Sequence, residues 1–203
     1  MSLAKVKDHK LSETEYLEGE LISETKYEYI DGEVFAMAGA SVKHNIISSN
    51  VSRELGNNLK SQNSPCNVFL ADMKVKISNN STHFYYPDVM VVCDKSDEDY
   101  FQNSPVIIVE VLSKSTRRND KTSKKMTYFN IPSLEEYVVI EQDYCEVEVF
   151  RKKNGWTSTV YFLGDEITFD SIKTTLSVED IYYHIDNEDM AQYLAKKEII
   201  ENN

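Results

Sequence analysis

The sequence predicts an α/β protein in which amphipathic helices are interleaved with short strands. Between Ser41 and about Lys60, apolar residues recur at every fourth position, which is typical of one buried helix face. Residues 106–112, by contrast, form a nearly continuous apolar run with the length of a buried strand. The 203 residues contain no repeats, low-complexity tracts or Pro/Gly-rich linkers, so we expect a single domain with a sizeable core.

The N-terminal half is predicted to contain a helix, a hairpin, a long helix and two strands. Ser12 and Glu15 have the spacing of a capping box, and Asp31-Gly32 is a typical hairpin turn between two apolar segments. The elements expected here are, in order, a helix over 12–18, a hairpin over 27–37, a helix over about 41–60 and strands at roughly 67–77 and 84–93.

The C-terminal half is predicted to complete the sheet. An acidic loop from Asp94 to Gln102 leads into the strand at 106–112. Asn119 is a residue type that caps helices and Pro132 cannot continue one, so we expect a helix from Asn119 to about Asn130. The remaining elements are expected to be strands near 136–142, 145–151 and 157–163, followed by an acidic helical segment after Ser177.

The spacing of cysteines and histidines gives no support for a sulfur or zinc site. The cysteines are odd in number and far apart, so neither a zinc knuckle nor a disulfide framework is expected. The histidines lack metal-ligand spacing, and no His-Glu-x-x-His occurs. These residues are Cys66, Cys93, Cys145, His9, His44, His83 and His184. A bound metal would therefore need oxygen ligands, which favours Mg²⁺ or Mn²⁺ over zinc.

Other sequence features restrict the location and the class of chemistry. No apolar run approaches the length of a membrane span, and the first thirty residues lack the apolar core of a signal peptide. We therefore expect a cytoplasmic protein with no membrane partner. Neither a Gly-x-Ser-x-Gly nucleophile motif nor a glycine-rich phosphate loop occurs, which argues against serine hydrolases and P-loop enzymes.

The charge is unevenly distributed along the chain. The net charge is −12, which taken alone argues against a nucleic-acid partner. Residues 114–125, however, carry six basic residues and one acid, a local charge of +5 that leaves −17 for the rest. One interpretation is a solvated helix face. The other is a contact surface for DNA phosphates, formed by Arg117, Arg118 and Lys121.

Two acidic residues lie within strand-like apolar segments and form the strongest functional signal. Glu110 is in the middle of the run at 106–112, and Asp88 lies 22 residues earlier in a second apolar segment. Neighbouring strands could bring the two carboxylates and the carbonyl of Val111 to one Mg²⁺ or Mn²⁺ ion. The alternative is that each acid forms a structural ion pair with a buried Lys or Arg. The strands alone favour neither interpretation.

The helix after the Glu110 strand could supply a cation to this site. Asp120, Lys124 and Tyr128 are spaced four apart and share one helix face, from which Lys124 could reach the strand end. The alternative is an ordinary surface pair between Asp120 and Lys124.

Three further residues have mainly structural interpretations when taken alone. His44 lies on the inward face of its helix, as hydrogen-bonded core histidines often do. Asp72 shares a strand face with Lys74 and Lys76 that by default is solvent-exposed, and Glu33 lies in the hairpin.

The order of these residues resembles the PD-(D/E)XK nuclease superfamily, with Pro87-Asp88 followed by Glu110-Val111-Leu112 on the next strand. More specifically, the chain resembles the bacterial Uma-type restriction endonuclease family, long a domain of unknown function. The matching stretches are Tyr29–Val34, Ala38–Ala40 with His44, Asp72-Met73, Tyr86–Val92, Val109–Thr116, Asp120–Tyr128 and Pro132–Tyr137. The resemblance implies a restriction-endonuclease-like core over about 12–183, with a central mixed β-sheet flanked by helices, and assembly as a homodimer. The residues after this core, 184–203, are expected to form an acidic helical tail.

The same resemblance assigns roles to individual residues. It implies that Asp88 and Glu110 ligate the metal. The superfamily's lysine two residues after the second acid is replaced here by Leu112, and the resemblance implies that Lys124 has taken over its role. The Lys124 ammonium would then lie roughly 3 to 6 Å from the Glu110 carboxylate, through a bridging water. His44, Asp72 and Glu33 match positions shared with the family and are secondary site candidates.

The function expected from these features is a Mg²⁺-dependent endonuclease that hydrolyses DNA phosphodiester bonds. One alternative is a catalytically inactive nuclease-fold protein that acts as a dimeric binding or scaffold module. A further alternative is a metal-dependent hydrolase of small phosphorylated molecules.

Overall fold

The structure is a computed structural model that describes residues 10–78 and 82–201. The α-helices are α1 Glu13–Ile22, α2 Val42–Ser61, α3 Arg117–Asp120, α4 Ser123–Tyr128, α5 Val178–Ile181 and α6 Glu188–Glu201. The strands are β1 Tyr27–Ile30, β2 Glu33–Ala36, β3 Asn67–Leu70, β4 Lys74–Ser78, β5 Thr82–Tyr85, β6 Val89–Val92, β7 Phe101–Gln102, β8 Pro105–Leu112, β9 Glu136–Glu141, β10 Val147–Arg151, β11 Thr157–Tyr161, β12 Glu166–Phe169 and β13 Thr174–Ser177.

A six-stranded mixed sheet, in the order β11-β10-β9-β8-β6-β3, forms the centre of the fold. Its only parallel pair within the described residues is β8 with β9, and the other neighbours are antiparallel. β8 lies between β9 and β6, away from both sheet edges. A strand in this position is covered on both faces, which explains why its sequence is almost uniformly apolar.

A second, five-stranded sheet has the order β2-β1-β5-β4-β7. Its β1–β2 hairpin turns at Asp31 and Gly32, whose φ values of 49° and 94° lie in the left-handed region that such turns require. A side chain at Gly32 would also meet the Lys10 side chain, 2.8 Å from the position of a Cβ atom. The turn therefore requires glycine on both conformational and steric grounds.

Three hydrophobic clusters arrange these elements in layers. The first covers one face of the six-stranded sheet and includes α2, the β12–β13 hairpin and α5. The second lies between the two sheets and includes Val75 and Tyr85 from the five-stranded sheet, Ile108 and Leu112 from β8, and Tyr128 from α4. The third joins α1 to the five-stranded sheet. Because Glu110 shares its strand face with Ile108 and Leu112, it points into the layer between the sheets.

Several sequence-based predictions are confirmed. Ser12 caps α1 with the full capping box to Glu15, and Ser41 caps α2 by accepting a hydrogen bond from the amide of His44. The predicted apolar stripe of α2 is buried, and the hairpin is present. The segment after Ser177 is helical, as α5 and α6. The α/β class, with mixed sheets flanked by helices, is correct.

Other boundaries were predicted wrongly. The expected strand at 67–77 is two strands, β3 and β4, because the chain turns where the amide of Met73 donates to the carbonyl of Leu70 at 2.9 Å. The expected strand at 84–93 is also two strands, β5 and β6, in different sheets. They separate at Pro87, which has no amide hydrogen to donate to a strand ladder.

The helix expected from Asn119 to Asn130 is divided as well. Thr122, with φ −129° and ψ −95°, separates α3 from α4, and Asn119 lies inside α3 rather than capping a helix. The sequence patterns also fail to predict β7, within the expected acidic loop, and the β12–β13 hairpin before Ser177.

The cysteine prediction is wrong in one respect, because Cys66 and Cys93 form a disulfide. β3 and β6 are antiparallel with Asn67 opposite Val92, so the register extended by one residue places the two cysteines opposite each other. This proximity depends on strand pairing and is not visible in sequence spacing. Among the helices of the described residues, none combines the length and apolar character needed to cross a membrane.

Candidate metal-binding site between the two sheets

Glu110 lies on β8, and Asp88 directly precedes β6, the antiparallel neighbour of β8. Val89 of β6 is opposite Val109 of β8, so the register extended by one residue places Asp88 opposite Glu110. Asp88 precedes the first residue of β6, where Pro87 ends the preceding segment. The strand pairing therefore brings together the two acids that the sequence singled out.

One oxygen of the Asp88 carboxylate has two donors. Oδ2 accepts a hydrogen bond from the amide of Val111 at 2.7 Å and lies 3.1 Å from Nε2 of His44. His44 is in the first turn of α2, so this contact joins the helix to the sheet beside β8. Val111, expected to offer its carbonyl to a metal, thus contributes its amide to the orientation of Asp88.

Glu110 is engaged by two side chains from α4. Its Oε1 accepts a hydrogen bond from the hydroxyl of Tyr128 at 2.8 Å and lies 2.9 Å from Nζ of Lys124. The expected proximity of Lys124 is therefore present, as a direct contact rather than through water. Nζ of Lys124 also lies 2.8 Å from Oε1 of Glu28 on β1. Lys124 is only 5% exposed and Glu110 only 4% exposed, so this ion pair is buried.

The electrostatic environment of these groups is strongly negative. Burial, together with the charges of Asp120 and Asp88, raises the pKa of Glu110 despite the nearby ammonium of Lys124. Burial alone would lower the pKa of Lys124, but the carboxylates of Glu110 and Glu28 outweigh it and raise that pKa. Lys124 therefore remains protonated at neutral pH.

His44 and Asp120 respond to the same environment. Burial would lower the pKa of His44, but its hydrogen bond to Asp88 and the charge of Asp88 raise it. The pKa of Asp120 is raised, chiefly by burial, although Lys124 and a hydrogen bond with Thr116 act in the opposite direction. Asp120 is buried at the end of α3, so it is not one half of a surface ion pair.

These residues fit a hard divalent cation. Glu28 and Glu110 contact Lys124, Asp88 contacts His44, and Asp120 interacts electrostatically with Glu110, so acids outnumber bases in this cluster and supply the oxygen donors that such a cation prefers. Within the residues that the structure describes, no three His, Cys, Asp or Glu side chains are arranged to hold a metal ion together. Mg²⁺ needs only one or two protein carboxylates when water and a substrate phosphate complete its shell.

Two of the secondary candidates lie elsewhere. Asp72 is in the exposed turn between β3 and β4, where its carboxylate pairs with Lys26. Glu33 is on β2 opposite Ile30, at the edge of the five-stranded sheet. The strand face expected to be exposed is also partly covered, because Lys74 is buried with its Nζ 3.2 Å from the hydroxyl of Tyr86.

The three predicted DNA-contact residues have unequal environments. Nη2 of Arg117 lies 2.5 Å from Oε2 of Glu141, and Nζ of Lys121 lies 3.2 Å from its Oε1. Glu141 is buried at the end of β9, and its carboxylate pairs with both Arg117 and Lys121. Arg118, in contrast, is exposed.

Glu28 is the site residue that sequence reasoning missed. Its neighbour Tyr29 packs against α1, whereas Glu28 faces the other side of β1, toward the layer between the sheets. The available signal was an acid between two tyrosines in a strand, on the face shared with Ile30. That pattern does not show that a second sheet and α4 pack against this face of β1.

The fold places the chain in a structural class. It is similar to the crystal structure of "a putative nuclease belonging to DUF820" from Anabaena variabilis, with a TM-score of 0.67 and 19% identity, over 85% of this chain and 97% of the other. The fold is thus that of a nuclease-like α/β protein.

Sequence comparison identifies the family. The profile of the Uma2 family, described as "Putative restriction endonuclease", matches residues 12–179, and the chain belongs to this family. Two proteins of Synechocystis sp. are also similar. "Uncharacterized protein slr1290" is 33% identical over 85% of this chain and 92% of its own length, and "Uncharacterized protein sll1609" is 36% identical over 70% and 81% respectively. Family membership supports a nuclease.

Proposed function

We propose that this protein is a metal-dependent endonuclease that hydrolyses DNA phosphodiester bonds, with Mg²⁺ or Mn²⁺ held by Asp88 and Glu110. The observation that carries the proposal is the proximity of Asp88, directly before β6, to Glu110 on β8, with Lys124 in contact with Glu110. The family description supports a DNA substrate. The chemistry supplied by the cation when bound is Lewis-acid activation of water and neutralisation of phosphate charge.

The protein's own residues prepare the site for that chemistry. Val111 and His44 occupy Oδ2 of Asp88 and so fix the orientation of its carboxylate. Tyr128 and Lys124 likewise occupy Oε1 of Glu110. Asp88 and Glu110 would hold the cation. Lys124, protonated and held at Glu110, would supply a positive charge to a phosphate bound at this site.

The test is cleavage of plasmid, linear, branched and single-stranded DNA in the presence of Mg²⁺ or Mn²⁺. Asp88→Asn and Glu110→Gln should each abolish cleavage while the chain remains folded. Glu166→Gln is a control, since Glu166 is an exposed acid of β12, in the separate β12–β13 hairpin. The absence of cleavage of every substrate by folded wild-type protein would refute the proposal, as would undiminished cleavage by Asp88→Asn.

A second candidate is a nuclease-fold dimeric binding or scaffold protein that does not cut DNA. The buried pair of Glu110 with Lys124 favours it, because a structural ion pair explains a buried glutamate without a metal. Calorimetric titration with Mn²⁺ separates the two candidates. Heat that is present in wild type and absent in Asp88→Asn supports the endonuclease, and no heat at millimolar Mn²⁺ supports the binding protein.

A further inference from the structure

We propose that Glu28 is a positioning residue of this site, which holds Lys124 so that the Glu110 carboxylate remains available to the divalent cation. This inference rests on the proposed metal-dependent function. It concerns a residue of the five-stranded sheet, whereas Glu110 is on β8 of the six-stranded sheet and Asp88 directly precedes β6 of that sheet.

The geometry of Lys124 is that of an ammonium shared between two acids. Its Nζ lies 2.8 Å from Oε1 of Glu28 and 2.9 Å from Oε1 of Glu110, so the Lys124 ammonium is paired with both carboxylates at once. The rings of Tyr85 and Tyr128 flank it, with centroids 5.2 and 5.8 Å from Nζ. These rings limit where the ammonium can move when one of its two partners changes.

The two acids differ in their other contacts. Glu110 also accepts the hydroxyl of Tyr128 and faces Asp88 across the strand pair. Glu28 reaches the same ammonium from β1, on the opposite side of the interior layer. A divalent cation at Glu110 would repel Lys124, and Glu28 offers the ammonium a compensating partner at hydrogen-bond distance.

Removal of Glu28 should therefore turn Lys124 into a competitor of the metal. Without Glu28, the ammonium has Glu110 as its remaining direct acidic partner and must be separated from it when the metal binds. A residue that orients a ligand in this way typically changes metal affinity by about ten- to a hundredfold when it is replaced. A carboxylate with a merely structural role would change folding stability and leave the Mn²⁺ affinity of the folded protein unchanged.

The experiment is a double-mutant cycle read by Mn²⁺ calorimetry on the full chain. Glu28→Gln should weaken Mn²⁺ binding by about tenfold in the wild-type background. In the Lys124→Gln background the same change should have an effect below about twofold, because the competing ammonium is gone. An equal loss in both backgrounds would show that Glu28 acts only by its charge through space, and would overturn the inference.

Glu28→Asp provides an independent measurement if either glutamine variant fails to fold. It keeps the charge but withdraws the carboxylate from Lys124 by one methylene, so we expect Mn²⁺ binding to weaken several-fold. Wild-type affinity in Glu28→Asp would overturn the inference. Glu24→Gln, at an exposed position four residues earlier, removes the same charge at the surface and should leave the affinity unchanged.

The outcomes also separate this inference from the proposed function. If wild type binds no Mn²⁺, both fail together. If wild type binds Mn²⁺ and Asp88→Asn does not, while Glu28→Gln binds as tightly as wild type, the proposed function stands and the role of Glu28 is refuted.

Discussion

The imidazole of His44 lies 3.1 Å from the carboxylate of Asp88, which couples the first turn of α2 to the beginning of β6. The same oxygen of Asp88 accepts the amide of Val111. Two donors on one oxygen restrict the orientation of the Asp88 carboxylate, and in the proposed site they would leave its other oxygen available to the cation.

His44→Ala should weaken Mn²⁺ binding by about tenfold, because Asp88 loses one of its two orienting donors. Calorimetry would measure the change, with Asn45→Ala as the control at the adjacent exposed position. Equal Mn²⁺ affinity in wild type and His44→Ala would contradict an orienting role.

Lys124→Ala should destabilise the fold by about 3–5 kcal/mol, because it leaves Glu28 and Glu110 buried without their shared cation. Urea denaturation followed by circular dichroism would measure the free energy of unfolding. Lys125→Ala is the matched control, since Lys125 lies over the Phe150 ring at 4.2 Å and remains partly exposed. Equal losses at the two positions would show that the buried ion pair contributes nothing particular.

Arg118 should contribute more to DNA affinity than its two basic neighbours. Arg117 and Lys121 are already paired with Glu141, whereas Arg118 is exposed. Arg118→Ala should reduce the slope of log K against log salt by about 0.9, the value for one phosphate contact on duplex DNA. Fluorescence anisotropy between about 50 and 200 mM salt is the measurement. An unchanged slope would place the DNA path elsewhere.

Arg117→Ala should act mainly on stability. Its removal takes the closest cation from Glu141, whose carboxylate is almost fully buried. We expect a loss of about 1–3 kcal/mol, of the size for a buried acceptor that loses a hydrogen-bonded partner. The Arg118→Ala protein is the reference, and an Arg117→Ala protein as stable as that reference would contradict the expectation.

The number of cysteines that react with a thiol reagent should depend on the Cys66–Cys93 disulfide and on the burial of Cys145. Burial raises the pKa of the Cys145 thiol to about 11, so the native protein should not react with a thiol reagent at pH 8. Unfolded without reductant, the chain should present one thiol, and after reduction three. Three reactive thiols in the unreduced, unfolded chain would show that Cys66 and Cys93 are not joined.

Acid should weaken the fold through His83. Burial lowers the pKa of His83, with Asp31 acting in the opposite direction, so the folded chain binds fewer protons than the unfolded chain as the pH falls through about 6.5. The contribution of His83 to the free energy of unfolding is therefore present above that pH and lost as the pH falls. His83→Gln should flatten the pH dependence of urea unfolding between about pH 5 and 8 relative to wild type, and a variant with the same pH dependence as wild type would contradict this expectation.

The parts of the site carried by strong local patterns were predictable from sequence. An acid inside an apolar strand identifies Glu110, and helical spacing identifies Lys124 and Tyr128 together. Their mutual contacts follow because α4 packs on the face of β8 that carries Glu110. The role of Glu28 was not predictable, since it depends on how the second sheet stacks on the first, and no local period encodes that relationship.

The strand boundaries were predicted wrongly where a short interruption separates two apolar segments. Ala71–Met73 and Pro87 each divide what reads as one strand, and each division sends the chain to the other sheet. The Cys66–Cys93 disulfide depends on the same event, because β3 and β6 become neighbours only after those divisions. Pairing between strands decides these features, and a single sequence shows it poorly.

The bridge from Glu28 through Lys124 to Glu110 joins three elements that are distant in sequence. Glu28 is on β1, Lys124 is on α4 and Glu110 is on β8, so the three residues meet only where both sheets pack around α4. If the proposed endonuclease activity is present, it would therefore depend on the association of the two sheets, and separation of the sheets would remove it.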